Sequence, residues 1–388
     1  MTDPASGDLV LVLNAGSSSI KLAVFDGALA ERLSGIADGI GGTGRLKIGG
    51  HASAHALPDH ASALKSILQE LDNHGFPLAR FRAAAHRVVH GGTELTAPVR
   101  VTPGTIAAID RCAALAPLHN PHNLAAIKTL ARLAPRLPQT ASFDTAFHAT
   151  NPEVALRYAL PPEIEARGIR RYGFHGTSYA SVVRTMPTIT GAPLPARLLA
   201  FHLGNGASIC AIRDGKSVAT TMGYSPLSGL TMGTRTGEID GNAVLRLADE
   251  DGIAATHELL NRNSGLVGLS GGHSDMRALL GGDSDESRFA IDHFCYWAVR
   301  HAGSLVAAME GLDAVAFTGG IGENAAPIRA RIMAGLGWLG LRADPAANEN
   351  DGPRLHAPDS AIAAWIVPAQ EERVIAADAL MLLDTSAR

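Results

Sequence analysis

The sequence predicts an α/β protein built from two related domains, and three observations carry that prediction. Short apolar runs bounded by glycine alternate with longer alanine-rich stretches of helical spacing. At 388 residues the chain is longer than one compact core usually holds, so about two domains are expected. The third is an internal echo. "LVLNAGSSSIKLAVFDG" near the start resembles "LAFHLGNGASICAIRDG" at Leu199–Gly215. Each copy reads as an apolar strand, a polar turn, a second alternating strand and then Asp-Gly, a strong hairpin signal. Two copies are too few for a solenoid. They fit two domains, each opening with a hairpin whose tip points at a shared cleft.

Taken in order, strands are expected at Leu9–Leu13, Lys21–Phe25, Ala84–Val89, Leu198–Leu203, Ser208–Ile212 and Ala314–Phe317. Helical spacing covers Ala61–Leu71, Pro121–Leu133, Ser287–Glu310 and Ala325–Gly335. "PTITGAPLPARLL", rich in proline and glycine, reads as a connection into a new strand.

Composition narrows the function classes. The hydrophobic fraction is 46%, the charged fraction 18% and the formal charge −4, without a lysine or arginine run. Nothing there invites nucleic acid or an anionic membrane. The start, "MTDPASGD", is acidic and lacks a signal-peptide profile. No apolar stretch approaches the roughly 20 residues that span a bilayer. Cys112, Cys210 and Cys295 lie far apart, which fits buried thiols in a reducing cytoplasm better than disulfides or a zinc knuckle.

Several stretches carry chemistry. The opening turn, Asn14 to Lys21, is not a Walker loop, since GxxxxGK[ST] is absent and a strand follows Ser19. Its backbone N–H groups could still form an anion-binding concavity, with serine hydroxyls and Lys21 adding donors and charge. A plain serine-rich turn with a solvated lysine is the competing reading. "GYSPLSGLTMGTRTGEIDGN" (223–242) packs five glycines around Arg235, with Glu238 and Asp240 following. So much glycine costs stability unless the backbone has a task, and such an arginine could reach a transferring phosphoryl group. In "AFTGGIGENAAPIRARI" an apolar strand enters a Gly-Gly-x-Gly turn, after which Glu-Asn begins a helix. That corner suits negative charge but lacks Rossmann spacing.

The 16 histidines recur in short polar contexts. His86 and His90 are four apart, as are Asp144 and His148, which raises zinc. There is no HExxH, and positions four apart on a strand lie roughly 13 Å from one another, so zinc is disfavoured. Asp144 in "FDTAFH" reads as a turn or cap aspartate or as a functional one. Glu371 and Glu372 in "QEE" read most simply as a solvated helix start.

In register along nearly the whole chain, nine segments resemble the acetate kinase (acetokinase) family of carboxylate phosphotransferases. They are "NAGSSSIK", "HRVVHGG", "LAPLHNP", "FDTAFH", "RYGFHGTS", "HLGNGASI", "MGTRTGEIDG", "GGIGENA" and "QEE". The resemblance implies the actin, Hsp70 and sugar-kinase (ASKHA) type of fold, in which two ribonuclease-H-like domains flank a nucleotide cleft. The N-terminal, acyl- and phosphate-side domain would be 1–147, with a C-terminal helix 373–388 packing back on it. The nucleotide-binding domain would be 148–372, and the hinge would lie near Asp144–Thr150 and around Glu371.

By the same resemblance, Asn14, Ser17, Ser19 and Lys21 face phosphates and metal, and Arg87 is the acyl-side arginine. Arg235 is the second essential arginine; His119, Asp144 and His175 complete the catalytic set. Asn14 and Glu371 are the metal-linked residues. The nucleotide side falls on His202, Leu203, Gly204, Asn205 and Gly206, on Asp275, Met276 and Arg277, and on Gly320, Ile321, Gly322, Glu323 and Asn324. Val89, Leu118, Phe174 and Pro226 would line an apolar pocket for the acyl methyl. The implied substrates are acetate or another short carboxylate and ATP, giving ADP, with Mg²⁺ (or Mn²⁺) as cofactor. A cytoplasmic homodimer without nucleic-acid or membrane partners is implied.

The chemistry suits that inventory. A carboxylate is already ionised at neutral pH, so no strong base is needed. The difficulty is bringing an anion up to a polyanion, which Arg87, Arg235, Lys21 and His175 would ease. Asp144 could bind metal, directly or through water, or orient an arginine. The chain departs from the family pattern at Tyr179, where a histidine is expected, at a glycine of "TGGIGEN" and at His273. The last two lie on the nucleotide side, so pyrophosphate is a possible donor in place of ATP. Propionate or butyrate kinase is an alternative. A non-catalytic actin- or Hsp70-like ATP-binding module is another, though it would not need "HRVVHGG" or the apolar pocket.

Overall fold

Strands buried on both faces read as near-continuous apolar runs, and "LVLVL" is such a run. In the computed structural model, which describes residues 7–385, it becomes β1 (Leu9–Ala15), the middle of a mixed sheet. The readings made on Met1–Ser6 and on residues 386–388 lie outside the described residues. The chain divides into two units, one within Met1–Phe147 and Gln370–Arg388, the other within His148–Ala369.

In the first unit β1 is followed by β2 (Ser19–Phe25), β3 (Glu31–Asp38), β4 (Gly42–Ile48), β5 (His51–Leu57), β6 (Phe81–Val88), β7 (Val99–Arg100) and β8 (Gln139–Phe143). Their order in the sheet is β5-β4-β3-β2-β1-β6-β8-β7, antiparallel from β5 to β1 and parallel from β1 through β6 to β8. One face packs Leu11, Leu13, Ile20 and Leu22 under the helix His60–Asn73 and Leu130 of the helix Asn120–Leu133. The other packs Val10, Val12, Ala23, Phe25 and Ala85 against Ile375, Ala376 and Ala379 of the helix Glu371–Asp384.

The second unit holds β9 (Arg197–Leu203), β10 (Ala207–Arg213), β11 (Lys216–Thr220), β12 (Ala314–Thr318) and β13 (Ala363–Ile366), in the order β11-β10-β9-β12-β13. β11, β10 and β9 are antiparallel, and β12 and β13 continue parallel to β9. This is the arrangement of β3-β2-β1-β6-β8 in the first unit, so the echo in the sequence is a repeat of topology. The written alignment nevertheless slips by one residue. Asn14 pairs with Lys21, while His202 pairs with Ser208. Lys21 therefore corresponds in space to Ser208, although the letters set it against Ile209.

Three expectations are corrected by the backbone. Only the second Asp-Gly makes a two-residue hairpin, with Asp214 and Gly215 at φ 50° and 77°. The first opens a longer turn in which Asp26 Oδ1 accepts from the N–H groups of Ala28 and Ala30. "PTIT" is not connection but the last turn of the helix Gly176–Thr190, which carries Pro187 inside it. In "TGGIGEN" the glycines are not a turn before a helix; they form the short helix Gly319–Asn324 themselves. β3, β4 and β5 were absent from the expected strands because they are largely exposed, with few buried positions to set an apolar rhythm.

Candidate active site

Side chains alternate along a strand, so the polar residues two positions from a buried one share its face. Val10 and Val12 of β1, Ala23 of β2 and Ala85 of β6 lie under the helix Glu371–Asp384. Asn14, Lys21 and Arg87 continue those rows on the same face. There the covering helix starts, with Glu371 and Glu372 in its first turn. The apolar core thus gives way to a polar edge where the helix ends, and a helix N-terminus favours anions nearby.

Register brings the key groups level. Leu13 pairs with His86 and Val88 with Phe143, so Asn14, Arg87 and Asp144 sit at neighbouring strand ends. Arg87 donates Nε to Asp144 Oδ1 at 2.9 Å and Nη2 to Oδ2 at 2.6 Å, a bidentate fork. Its Nη1 reaches Asn14 Oδ1 at 3.2 Å. The Asp144 side chain is 2% exposed and that of Arg87 20%. Burial works against the Arg87 charge, but Asp144 more than offsets it, with Glu371 and Glu372 adding to the effect, so the guanidinium pKa is raised. Both carboxylate oxygens of Asp144 accept from Arg87.

The strand ends are held by two amides that the sequence reading passed over. In "LHNPHN", His119 precedes the helix Asn120–Leu133 as its N-cap residue. Asn120 and Asn123, on the first turn of that helix, make the critical bonds. Asn120 Oδ1 accepts from His90 N and its Nδ2 donates to His90 O. Asn123 Oδ1 accepts from Val89 N, and its Nδ2 donates to Ala15 O at 2.6 Å. An Asn pair three residues apart on a helix was the available signal. The serine turn is fixed from behind: Gly16 O meets His60 Nε2 at 2.7 Å and Ser18 O accepts from Ile40 N. Ser17 is exposed and Ser19 half-buried.

In the second unit the tip of the β9–β10 hairpin is the gathering point. His175 precedes the helix Gly176–Thr190 in a left-handed conformation, φ 57°. Its ring lies 4.1 Å from that of His202, and its Nδ1 is 2.8 Å from Ser208 Oγ. A β-carbon on Gly206 would fall 2.6 Å from Arg235 Nη2 and 3.2 Å from His175 Nε2. The glycine thus leaves room for both side chains at the tip. Arg235 Nη1 donates to Pro226 O at 2.5 Å, and burial lowers the Arg235 pKa to about 10. The glycine-rich segment 223–242 is pinned: Gly233 N donates to Asn205 O, and a β-carbon there would sit 1.9 Å from Asn205 Oδ1.

The "GGIGEN" helix packs against the end of β9, where a β-carbon on Gly319 would lie 2.8 Å from Leu203 O. Glu323 Oε1 accepts from Gly319 N and Ala369 N, so this carboxylate braces the corner. Arg329, fully buried, donates to the carbonyls of Gly322 and Glu323 and pairs with Asp351. Sequence reasoning missed it, because a buried arginine cannot be told from a surface one by pattern. Ile321 and Asn324 belong to the same helix, and Asn324 Nδ2 donates to Gly320 O. Asp275 and Arg277 pair with each other on exposed surface, while Met276 between them is buried. Of the pocket candidates, Val89 and Phe174 are buried, and Leu118 and Pro226 half-buried.

A family model described as the Acetokinase family matches residues 9–377. The chain is 45% identical to an acetate kinase of Rhodopseudomonas palustris, over 97% of this chain and 99% of that protein. It is 43% identical to an acetate kinase of Nitrobacter hamburgensis, over 97% and 96% respectively. Among solved structures, a propionate kinase from Francisella tularensis superposes with a TM-score of 0.91 at 36% identity, covering 96% of this chain and 98% of that one. An acetate kinase from Porphyromonas gingivalis gives 0.90 at 35% identity, covering 97% and 100%. With matches along almost its full length, the chain belongs to the acetokinase family.

Proposed function

We propose that the protein reversibly transfers the γ-phosphoryl group of ATP to acetate by in-line displacement, giving acetyl phosphate and ADP. The observation that carries this reading is the commitment of Asp144 to Arg87. A hydroxyl acceptor would need a base, whereas a carboxylate arrives ionised and needs a cationic clamp. In this reading Arg87 orients the carboxylate, with Val89 and Leu118 beside its methyl group. Arg235 stabilises the equatorial oxygens of a metaphosphate-like group, and His175 donates a hydrogen bond to it. Lys21 and the serines of the first turn hold phosphate oxygens. The unit within His148–Ala369 supplies the nucleotide side, through His202–Gly206 and Gly320–Asn324.

Mg²⁺ would be held through Asn14 and Glu371, oxygen donors suited to a hard cation. Among the described residues no group of three or more His, Cys, Asp or Glu could hold a metal. That donor set fits an ion carried mainly by nucleotide phosphates and water, and when bound it would neutralise charge on the β- and γ-oxygens.

A second reading changes only the acyl group, and the likeness to a propionate kinase favours keeping it. One methylene in an apolar pocket is worth only about 1–3 kcal/mol. Trapping acyl phosphate with hydroxylamine, using acetate, propionate and butyrate each with ATP or pyrophosphate plus Mg²⁺, tests both. Acetyl hydroxamate formed with ATP is the expected product. No hydroxamate in any combination would sink the whole assignment.

A further inference from the structure

Immediately after "RYGFHGTS", Tyr179 stands fully buried, its Oη 2.5 Å from Ser208 Oγ. Ser208 is also fully buried, and its Oγ lies 2.8 Å from His175 Nδ1. The three side chains form a line: phenol, hydroxyl, imidazole. We propose that Tyr179 is a positioning residue that, through Ser208, fixes His175 as the tautomer carrying its proton on Nε2.

The direction of the line follows from donors and acceptors. A neutral phenol has one proton to give, and a serine hydroxyl can accept while donating. Burial raises the Tyr179 pKa well above its ordinary value, so the phenol stays protonated across the working pH range. The His202 backbone also hydrogen-bonds the phenol oxygen in the sense that favours phenolate, as a donor N–H does. Tyr179 therefore donates to Ser208, and Ser208 turns its own proton toward His175 Nδ1. An Nδ1 that accepts leaves the ring proton on Nε2. That nitrogen is directed at the hairpin tip, 3.2 Å from where a Gly206 β-carbon would stand and beside Arg235 Nη2. His175 then presents a neutral N–H donor next to the arginine, with no second full charge in a buried spot.

The use of that N–H on a phosphoryl oxygen rests on the phosphotransfer reading above; the place of the proton on the ring does not. The test is long-range ¹H–¹⁵N correlation on ring-labelled full-length protein without ligand, with the His175 signals assigned by comparison with His175→Gln. An Nε2–H pattern is expected, and Tyr179→Phe and Ser208→Ala should each give a mixed or Nδ1–H pattern. In the acyl hydroxamate assay Tyr179→Phe should lower kcat about tenfold, with KM for ATP nearly unchanged. An Nδ1–H or doubly protonated ring in the parent protein would overturn the proposal. So would an unchanged tautomer in both variants. An Nε2–H ring that responds to both substitutions in a protein forming no acyl phosphate would uphold the positioning role and reject the reaction.

Discussion

Substituting Asp144→Asn removes a charge while keeping the side chain's shape, and the structure sets the size of the effect. Asp144 accepts two bonds from Arg87, at 2.9 and 2.6 Å, and its side chain is 2% exposed. The amide keeps one acceptor oxygen but turns an NH₂ group toward a guanidinium N–H, so one bond becomes a donor–donor clash. Removing one partner of a buried ion pair costs about 3–5 kcal/mol. Arg87 is 20% exposed and retains Asn14, which places this case at about 3 kcal/mol, the lower end. At a urea m-value of about 2 kcal/mol/M, the unfolding midpoint followed by circular dichroism should fall by about 1.5 M. The Arg87→Gln variant should also be destabilised. The double variant should recover part of the loss, with a coupling of about 2 kcal/mol, because no lone buried charge remains. Midpoints within 0.3 M of the parent, on the order of 0.6 kcal/mol at that slope, would refute the reasoning. So would single effects that simply add in the double variant.

Arg235→Ala should lower turnover by about 10³–10⁵, the range for arginines that act on a transferring phosphoryl group, in the acyl hydroxamate assay; near-full activity would remove Arg235 from the mechanism. Asn123→Ala strips partners from Val89 N and Ala15 O, and at about 1–3 kcal/mol for each unsatisfied buried group it should cost about 2–6 kcal/mol in urea unfolding. Burial pushes the pKa values of His86 and His90 down to about 4 from 6.5. The unfolded chain then binds more protons between those values. Stability from these groups is complete above pH 6.5 and is lost as pH falls toward 4, by about 3 kcal/mol each. Urea midpoints at pH 7, 5.5 and 4.5 should fall less steeply in His86→Gln than in the parent, and identical slopes would count against this assignment.

How much was legible in the sequence depended on whether the signal was local. β1, β2, β9, β10 and β12 announced themselves because they are buried on both faces and flanked by glycine. β3, β4 and β5 did not, because much of their length is exposed and filled by glycine, alanine, histidine and charged residues, leaving few large apolar side chains to mark a period. Arg87, Arg235 and His175 stood out through their motifs. Asn120 and Asn123 were hidden beside His119, since an amide that holds two backbone groups looks like any helix-start residue. Arg329 was invisible for a related reason: its carbonyl partners Gly322 and Glu323 and the Asn348 side chain are gathered around it only by folding.

By itself the sequence determined the fold class and the repeated hairpin, through apolar periodicity and turn residues, and the family, through the resemblance of nine short motifs spread along the chain. Only the tertiary structure decided that Asp144 is bound to Arg87, that Lys21 corresponds in space to Ser208 and not to Ile209, and that Tyr179, Ser208 and His175 stand in a line. Each of these depends on register between strands or on the approach of distant segments. A strand's register is set by the partner it packs against, and no local spacing encodes the partner.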